Sequence, residues 1–418
     1  MRTNLERRLR NRGPDGVVYP DYAGHCFTNV PGSIGEALNM ELGRSVAGNA
    51  IPTDDIDTVI CVLLDGLGIE RFRRDGDSVS LLRRLSDAGS VSTLTAPFPS
   101  ETAAAIASFH TARPPAAHGL LGGTLWCPAV GRVLRALRFA VPGGEPESGV
   151  QFGLDSGILN DGDTIHQRLT NAGVASHCVQ PTPTTTGTYT DAFLAGATRH
   201  GYDDPTEAGR LLRRSVTDAA GGPSFTYCYL PHVDITSHAH GPDDDRYRTA
   251  MRDACAGVES GLDAIQASDA VDVDRTLVVL LADHGHVSAD PERFTRFDAD
   301  PVIADAMAAG PPPAALTGGP RSVFFHLPPG RLDGVRRRLE GRYDGHVFTR
   351  AEALDELGLF GPEPGARARA RCGDLVFVPG ADGAGGELLA SEKHSYHGGL
   401  SEREMLVPLI AARLGDLD

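Results

Sequence analysis

A single lysine, Lys393, stands among the 39 basic residues of this 418-residue chain, and acidic residues outnumber basic ones to give a formal net charge of −16. A nucleic-acid backbone or an anionic membrane needs a positive surface, so neither is expected as a main partner. Any phosphate the protein handles must then be held by a local positive centre. Long apolar runs are also missing: nothing approaches the roughly 20 unbroken apolar residues that span a bilayer. The first residues, "MRTNLERRLRNRG", are charged where an export signal would carry an apolar segment, and the expected compartment is the cytoplasm. Seven cysteines lie singly between Cys26 and Cys372 with no CxxC. That pattern fits reduced interior thiols better than a disulfide framework or a cysteine-based zinc site.

What is present describes a globular protein, with 41% apolar and 22% charged residues. Three runs, "TVICVLL" (58–64), "SFTYCYL" (224–230) and "TLVVLL" (276–281), are continuously apolar rather than alternating, as strands covered on both faces are. Helical patterns at 77–89, 102–111 and 245–268 separate them, so the order is βαβα. The expected fold is α/β: a doubly wound, mainly parallel sheet with helices on both faces and a small inserted α+β cap. The expected organisation is an N-terminal segment packed on the core (1–45), a catalytic α/β core (46–286), a Pro- and Gly-rich inserted cap (287–385) and a return to the core (386–418).

In open parallel sheets ligands sit beyond the carboxyl ends of the strands. Asp65, Asp234 and Asp283 all fall just after the apolar runs. Asp234 and His238, four apart in "PHVDITSHAHGP", share one face of a helical turn. His284 follows Asp283 in "LLADHGH", and "HSYHGGLS" supplies His397. Aspartate and imidazole together suit zinc, manganese or iron, whereas magnesium and calcium take oxygen ligands alone. In "APFPSETAAAIASFHT", Thr102 opens an Ala-rich helix whose free N–H groups and dipole favour an anion. A threonine hydroxyl becomes a useful nucleophile only when a metal or base takes its proton. Thr102 also reads as a plain N-cap, and Ser100 is a neighbouring rival hydroxyl. His240, His286 and His394 flank the ligand-type residues, while His110 and His118 read as packing or capping residues.

Taken in order, an Asp after the first strand, a Thr after "PS", D-x-x-x-H-x-x-G-P, D-H-G and a late H-G-G-L-S, these segments resemble the alkaline phosphatase superfamily, in particular its nucleotide pyrophosphatase/phosphodiesterase-like branch. The resemblance spans about 56–410 and implies two divalent metal ions, zinc first, with manganese or iron as alternatives. It implies that Asp65, Asp283 and His284 hold one ion, which also touches the Thr102 oxygen, and that Asp234, His238 and His397 hold the other. Two dications balance three aspartates and a Thr102 alkoxide. The implied reaction is attack by Thr102 on phosphorus, giving a phosphothreonine that water then hydrolyses. The substrate is expected to be a small phosphate ester or nucleotide-like molecule.

The resemblance breaks at Ala105, where nucleotide phosphodiesterases of this branch carry an Asn that contacts a phosphoryl oxygen. A phosphomonoesterase, a phosphonate hydrolase and a non-catalytic metal-binding homologue are the competing readings. A monoester carries one more negative charge than a diester and needs a further cation, for which Arg113 and Lys393 are the candidates. The C/S-x-P-x-R context of a sulfatase nucleophile and the large insertion of a phosphomutase are both missing near Thr102.

Overall fold

The three apolar runs fold as the strands Thr58–Leu64, Ser224–Leu230 and Thr276–Leu281, paired in parallel with Thr58–Leu64 in the middle. Their β-branched and aromatic residues suit a pleated surface, and no turn former interrupts them. The structure is a computed structural model that describes residues 4–14, 16–289, 294–308, 315–380, 383–386 and 393–418. The central sheet has seven strands, which from edge to edge are Ser90–Thr95, Leu406–Arg413, Thr276–Leu281, Thr58–Leu64, Ser224–Leu230, Ala175–Pro181 and Thr198–Tyr202. Every pairing is parallel except those of Leu406–Arg413, which runs antiparallel to both neighbours.

Every residue of Thr276–Leu281 is buried. Side chains alternate between the faces of a strand, so complete burial requires helices on both. Phe109 of the helix Thr102–Thr111 and His166 of the helix Ile165–Asn171 pack on Tyr227 and Phe225 of the Ser224–Leu230 strand. The helices Ser80–Ala88, Pro205–Asp218 and Asp245–Gln266 pack together as another layer. Two of them touch backbone to backbone: a Cβ on Gly209 would lie 1.8 Å from the Gly257 carbonyl oxygen, and one on Gly257 would lie 2.2 Å from the Pro205 carbonyl oxygen.

Strand register positions the site. Thr58 is level with both Ser224 and Thr276, and Leu63 is level with Leu281. Two residues further on, Asp65 and Asp283 leave the sheet side by side at its carboxyl edge. The Asp65 N–H still donates to the Leu230 carbonyl, so the turn after the first strand begins locked to the strand that leads to Asp234.

A second sheet of six strands, antiparallel throughout, follows the order Gly345–Thr349, Leu375–Pro379, Ser322–His326, Ala315–Gly319, Thr124–Cys127 and Arg132–Arg135. It has its own apolar cluster, with Phe297, Phe325 and Phe377 packed against Val335 and Leu339 of the helix Leu332–Arg342. This sheet is not confined to the stretch read as an insertion, because the hairpin at 124–135 supplies two of its strands. Those strands are four residues each, too short for alternation to stand out in the sequence.

Because Gly209 lies against backbone that has nowhere to move, Gly209→Ala is expected to destabilise the protein by about 2 kcal/mol or more. Gly334→Ala, in a helix where a Cβ meets nothing, should stabilise it by about 0.5–1 kcal/mol. Urea unfolding of the two variants beside the parent checks both signs.

Candidate metal centre and active site

At the carboxyl edge of the central sheet, four ligand atoms converge around the ring of His284. His284 Nε2 lies 3.3 Å from Asp65 Oδ1, 3.4 Å from Asp283 Oδ2 and 3.0 Å from Thr102 Oγ1. Its Nδ1 lies 3.2 Å from the Gly285 carbonyl, which fixes the proton on Nδ1 and leaves Nε2 with a bare lone pair. The other oxygens of the two aspartates are occupied. Asp65 Oδ2 accepts from the Tyr229 hydroxyl at 2.5 Å, and Asp283 Oδ1 accepts from the N–H groups of Gly66 and His284. Gly66 takes a positive φ of 79° and crowds this corner: a Cβ there would lie 2.7 Å from His286 Nε2 and 3.1 Å from Asp234 Cβ.

A second set adjoins the first. Asp234 and His238 lie one turn apart on the helix His232–His240, and His238 Nε2 is 3.3 Å from Asp234 Oδ1. His397 arrives from the far end of the chain because Ser395–Tyr396 pairs with Val287–Ser288, the strand that follows "ADHGH". Its Nε2 lies 3.5 Å from Asp234 Oδ1 and 3.2 Å from His238 Nε2, and its ring stacks on that of His284 with centroids 3.6 Å apart. His238 Nδ1 faces the Ser395 carbonyl at 2.8 Å and His397 Nδ1 faces the Ser100 carbonyl at 3.1 Å. Both protons are therefore on Nδ1, and two bare Nε2 lone pairs oppose each other across 3.2 Å. Burial keeps both rings neutral: it pushes His238 down to about 3 and His397 well below the usual imidazole range.

These groups fit divalent cations. Among the described residues, Asp65 Oδ1, Asp283 Oδ2 and Asp234 Oδ1 are buried without a hydrogen-bond partner, and all three face imidazole nitrogens rather than an arginine or lysine. Burial first, then the charges of Asp283 and Asp234, push the Asp65 carboxyl well above the usual carboxylate range. Burial works to raise Asp234 as well, against an attraction to His238, His286 and His397 that exists only when those rings carry a proton. Asp65, Asp283 and His284 form one cluster able to hold an ion, and Asp234 clusters with His284 and His397 and with His238 and His286. All six ligand-type residues singled out in the sequence, and Thr102, thus come together.

Thr102 begins the helix Thr102–Thr111, whose Ala103, Ala104, Ala105 and Ala107 are buried and small enough for close packing. Ser100, its rival, is fully engaged: its hydroxyl donates to the Gly399 carbonyl at 2.8 Å and accepts from the Gly398 N–H at 3.2 Å. His118 caps locally through Ser108, and His110 packs in the interior against His166. His240 and His394 are exposed. His286 comes inward, with Nε2 3.1 Å from Asp234 Oδ1 and Nδ1 3.1 Å from the Ser395 hydroxyl.

Two buried groups beside the site carry no motif. Glu101, next to Thr102, accepts from the Gly123 N–H at 2.5 Å, and burial pushes its carboxyl up to about 7. Glu404 pairs with the fully buried Arg321 through bonds of 2.9 and 2.8 Å, and also accepts from the Gly399 N–H. That pair holds the turn carrying His397. Only their place in the fold reveals either group.

A cavity of about 470 Å³ opens on Thr102, Asp234, His238 and His397. Its far wall is the second sheet, through the hairpin at 124–142 and residues 316–320. Lys393 lines it, and burial lowers the pKa of its ammonium while Asp234, Glu101 and Asp65 attract it. Arg113, the other cation considered from the sequence, hydrogen-bonds to Asn160, lies 3.7 Å from Asp161 and does not line the cavity.

Fold and site together define an alkaline phosphatase-like hydrolase scaffold. The family model of type I phosphodiesterase / nucleotide pyrophosphatase matches residues 59–383, and the chain belongs to that family. Among solved structures, murine ectonucleotide pyrophosphatase/phosphodiesterase 5 superposes with a TM-score of 0.61 at 15% identity, over 84% of this chain and 87% of that one. An inactive variant of that murine protein in complex with AMP matches equally well. Phosphonoacetate hydrolase from Sinorhizobium meliloti, in complex with phosphonoacetate, matches with a TM-score of 0.59 at 18% identity, over 88% and 92% of the two chains. No curated protein matches the sequence. Among the described residues, no helix is long and apolar enough to cross a membrane.

Adding zinc or manganese to chelator-stripped protein should raise its thermal midpoint, with a gain of about 4 kcal/mol at a thousandfold excess over Kd. Asp283→Asn should stabilise the stripped protein by relieving like-charge repulsion and abolish most of the metal-dependent rise. Differential scanning calorimetry with metal analysis reads both. Arg321→Leu leaves Glu404 buried and unpaired, and is expected to lower unfolding free energy by about 3–5 kcal/mol in a denaturant titration.

Proposed function

We propose that the protein is a metal-dependent phosphoric ester hydrolase, a phosphodiesterase or nucleotide pyrophosphatase that acts through Thr102. One observation carries this reading: the Thr102 hydroxyl stands at a helix N-terminus, 3.0 Å from the bare nitrogen of His284, on the floor of the cavity that also exposes Asp234, His238 and His397. Asp65, Asp283 and His284 would hold one divalent ion beside Thr102, and Asp234, His238 and His397 a second. When bound, such ions supply Lewis acidity and neutralise the charge of the phosphoryl group.

The rest is the work of the chain. The first N–H groups of the helix Thr102–Thr111 have no intrahelical partner, and Thr102 and Ala103 line the cavity, so non-bridging phosphoryl oxygens would bind there. Thr102 Oγ1 forms a bond to phosphorus as the bond to the leaving oxygen breaks; the hydroxyl proton passes to water, and the departing alkoxide takes a proton from water to leave as an alcohol. Water then attacks the phosphothreonine and returns the Thr102 oxygen. Glu101 and the buried alanines keep the helix start in place, and backbone carbonyls fix the proton on Nδ1 of His284, His238 and His397.

Lys393 favours a second reading. A cation at the cavity suits the extra negative charge of a phosphomonoester or a phosphonate. Rates on bis-p-nitrophenyl phosphate and p-nitrophenyl phosphate with added zinc or manganese decide between the two. We expect the diester to turn over faster and Thr102→Ala to lower that rate at least about a thousandfold. A monoester preference that collapses selectively in Lys393→Ala would replace the diesterase reading. Ion-loaded protein inactive on both would sink the function in either form.

A further inference from the structure

The reaction at Thr102 makes no use of two arginines on the opposite wall of its cavity. We propose that Arg135 and Arg138 bind a second anionic group, a phosphate or a carboxylate, on one arm of the substrate, so that the substrate class is phosphodiesters carrying an additional negative charge. The inference rests on the reading of Thr102 as the point of phosphoryl attack and names what that site accepts.

Both arginines line the cavity that opens on Thr102. Among the described residues neither side chain has a hydrogen-bond or ion-pair partner. The chain does not lack carboxylates, with 55 acidic residues. Two nearby arginines differ from this pair: Arg132, on the same strand as Arg135, lies over the Phe152 ring, and Arg113 is bound by Asn160. The cavity lining they share includes the apolar Val133, Leu137, Pro142 and Leu316 beside the polar Thr124 and Thr317. Arg135 is half-buried and Arg138 exposed, and an unpaired guanidinium keeps its five donors and full charge for a ligand.

The two side chains are tied to the nucleophile by backbone. The Gly123 N–H donates to Glu101, whose neighbour is Thr102. The next residue, Thr124, is the cross-strand partner of Arg135, and the Ala136 N–H donates back to the Gly123 carbonyl. Residues 136–139 then form a turn, closed by the Phe139 N–H on the Ala136 carbonyl and anchored by the fully buried Phe139 ring, with Arg138 at its tip. Arg135 and Arg138 therefore keep a fixed relation to the point of attack. A stacked nucleobase would need an aromatic wall, and among the described lining residues Tyr396 is the one aromatic side chain.

The test compares p-nitrophenyl butyl phosphate, p-nitrophenyl 3-carboxypropyl phosphate and p-nitrophenyl 3-phosphonopropyl phosphate, equal in reach and different in charge. In the wild type, kcat/KM on a charged ester should exceed that on the butyl ester at least tenfold, mainly through KM, and the better of the two identifies the group. The Arg135→Gln/Arg138→Gln double variant should lose that tenfold and stay within twofold on the butyl ester, and the corresponding lysine variant should recover part of it. Equal wild-type rates on all three esters, or equal losses in the variant, would overturn the assignment. Calorimetric binding of 4-phosphonobutyrate against butylphosphonate tests it without turnover, with tighter binding of the carboxylated ligand in the wild type and no difference in the double variant. Charge-selective binding without hydrolysis would sink the proposed function and keep the arginine assignment, whereas hydrolysis with no charge preference in either assay would do the reverse.

Discussion

Three carboxylates forced together at one edge of a sheet set the terms for the rest of this structure. The parallel strands Thr58–Leu64 and Thr276–Leu281 are in register, so their chains leave the sheet together, and Asp65 and Asp283 must emerge as neighbours. The helix His232–His240 then delivers Asp234 to the same place. Charges of one sign in a dry interior cost several kcal/mol unless neutralised or paired. Among the described residues no arginine or lysine pairs with any of the three, and their free oxygens face imidazole nitrogens. A fold that accepts this arrangement without ions must draw the difference from elsewhere, mainly the buried central sheet.

The histidines show how the tension is directed rather than relaxed. His284, His238 and His397 each turn Nδ1 to a backbone carbonyl, of Gly285, Ser395 and Ser100 respectively. Backbone carbonyls cannot donate, so each ring must keep its proton on that side and present a lone pair inward. Two of those carbonyls lie far from their ring in sequence, and their positions depend on the short pairing of Val287–Ser288 with Ser395–Tyr396 and on the Arg321–Glu404 pair beneath the His397 turn. Arg321 sits at the start of a strand of the second sheet. The chemistry at the edge of the first sheet is thus mechanically coupled to the second.

Much of this was legible in the sequence, and the exceptions share a cause. Strand ends at 64, 230 and 281 could be read because buried parallel strands are written as continuous apolar runs, and the ligand-type residues stand where those runs stop. The mainly parallel sheet followed from the same signal. The hairpin at 124–135 could not be read, since four-residue strands whose partners lie nearly two hundred residues away leave no local period. No local pattern marks Glu101, Arg321 or Glu404, because only tertiary packing takes them out of water. Arg113 and Lys393 were equivalent as candidates from charge alone. The fold separates them, turning Arg113 toward Asn160 and placing Lys393 on the cavity.

Glu101 is where the two sheets meet, and it explains how the second can shape what reaches the first. One oxygen takes the Gly123 N–H at the start of the hairpin. The other sits so close to the second sheet that a Cβ on Gly319 would lie 1.7 Å from it, and a Cβ on Gly398, in the turn after His397, would lie 2.9 Å from it. A larger residue at either position would push the Glu101 carboxylate from its place, and Gly398 also holds a positive φ of 119° that side chains rarely adopt. Thr102, the His397 turn and the wall bearing Arg135 are therefore packed around one buried side chain. A change in the wall that preserves the Glu101 contact can alter which substrate arm fits without moving Thr102, whereas a change that breaks it displaces all three. Under the proposed function, that separation would let one fixed centre serve different phosphate esters, with selectivity set by the part of the chain that the apolar runs do not reveal.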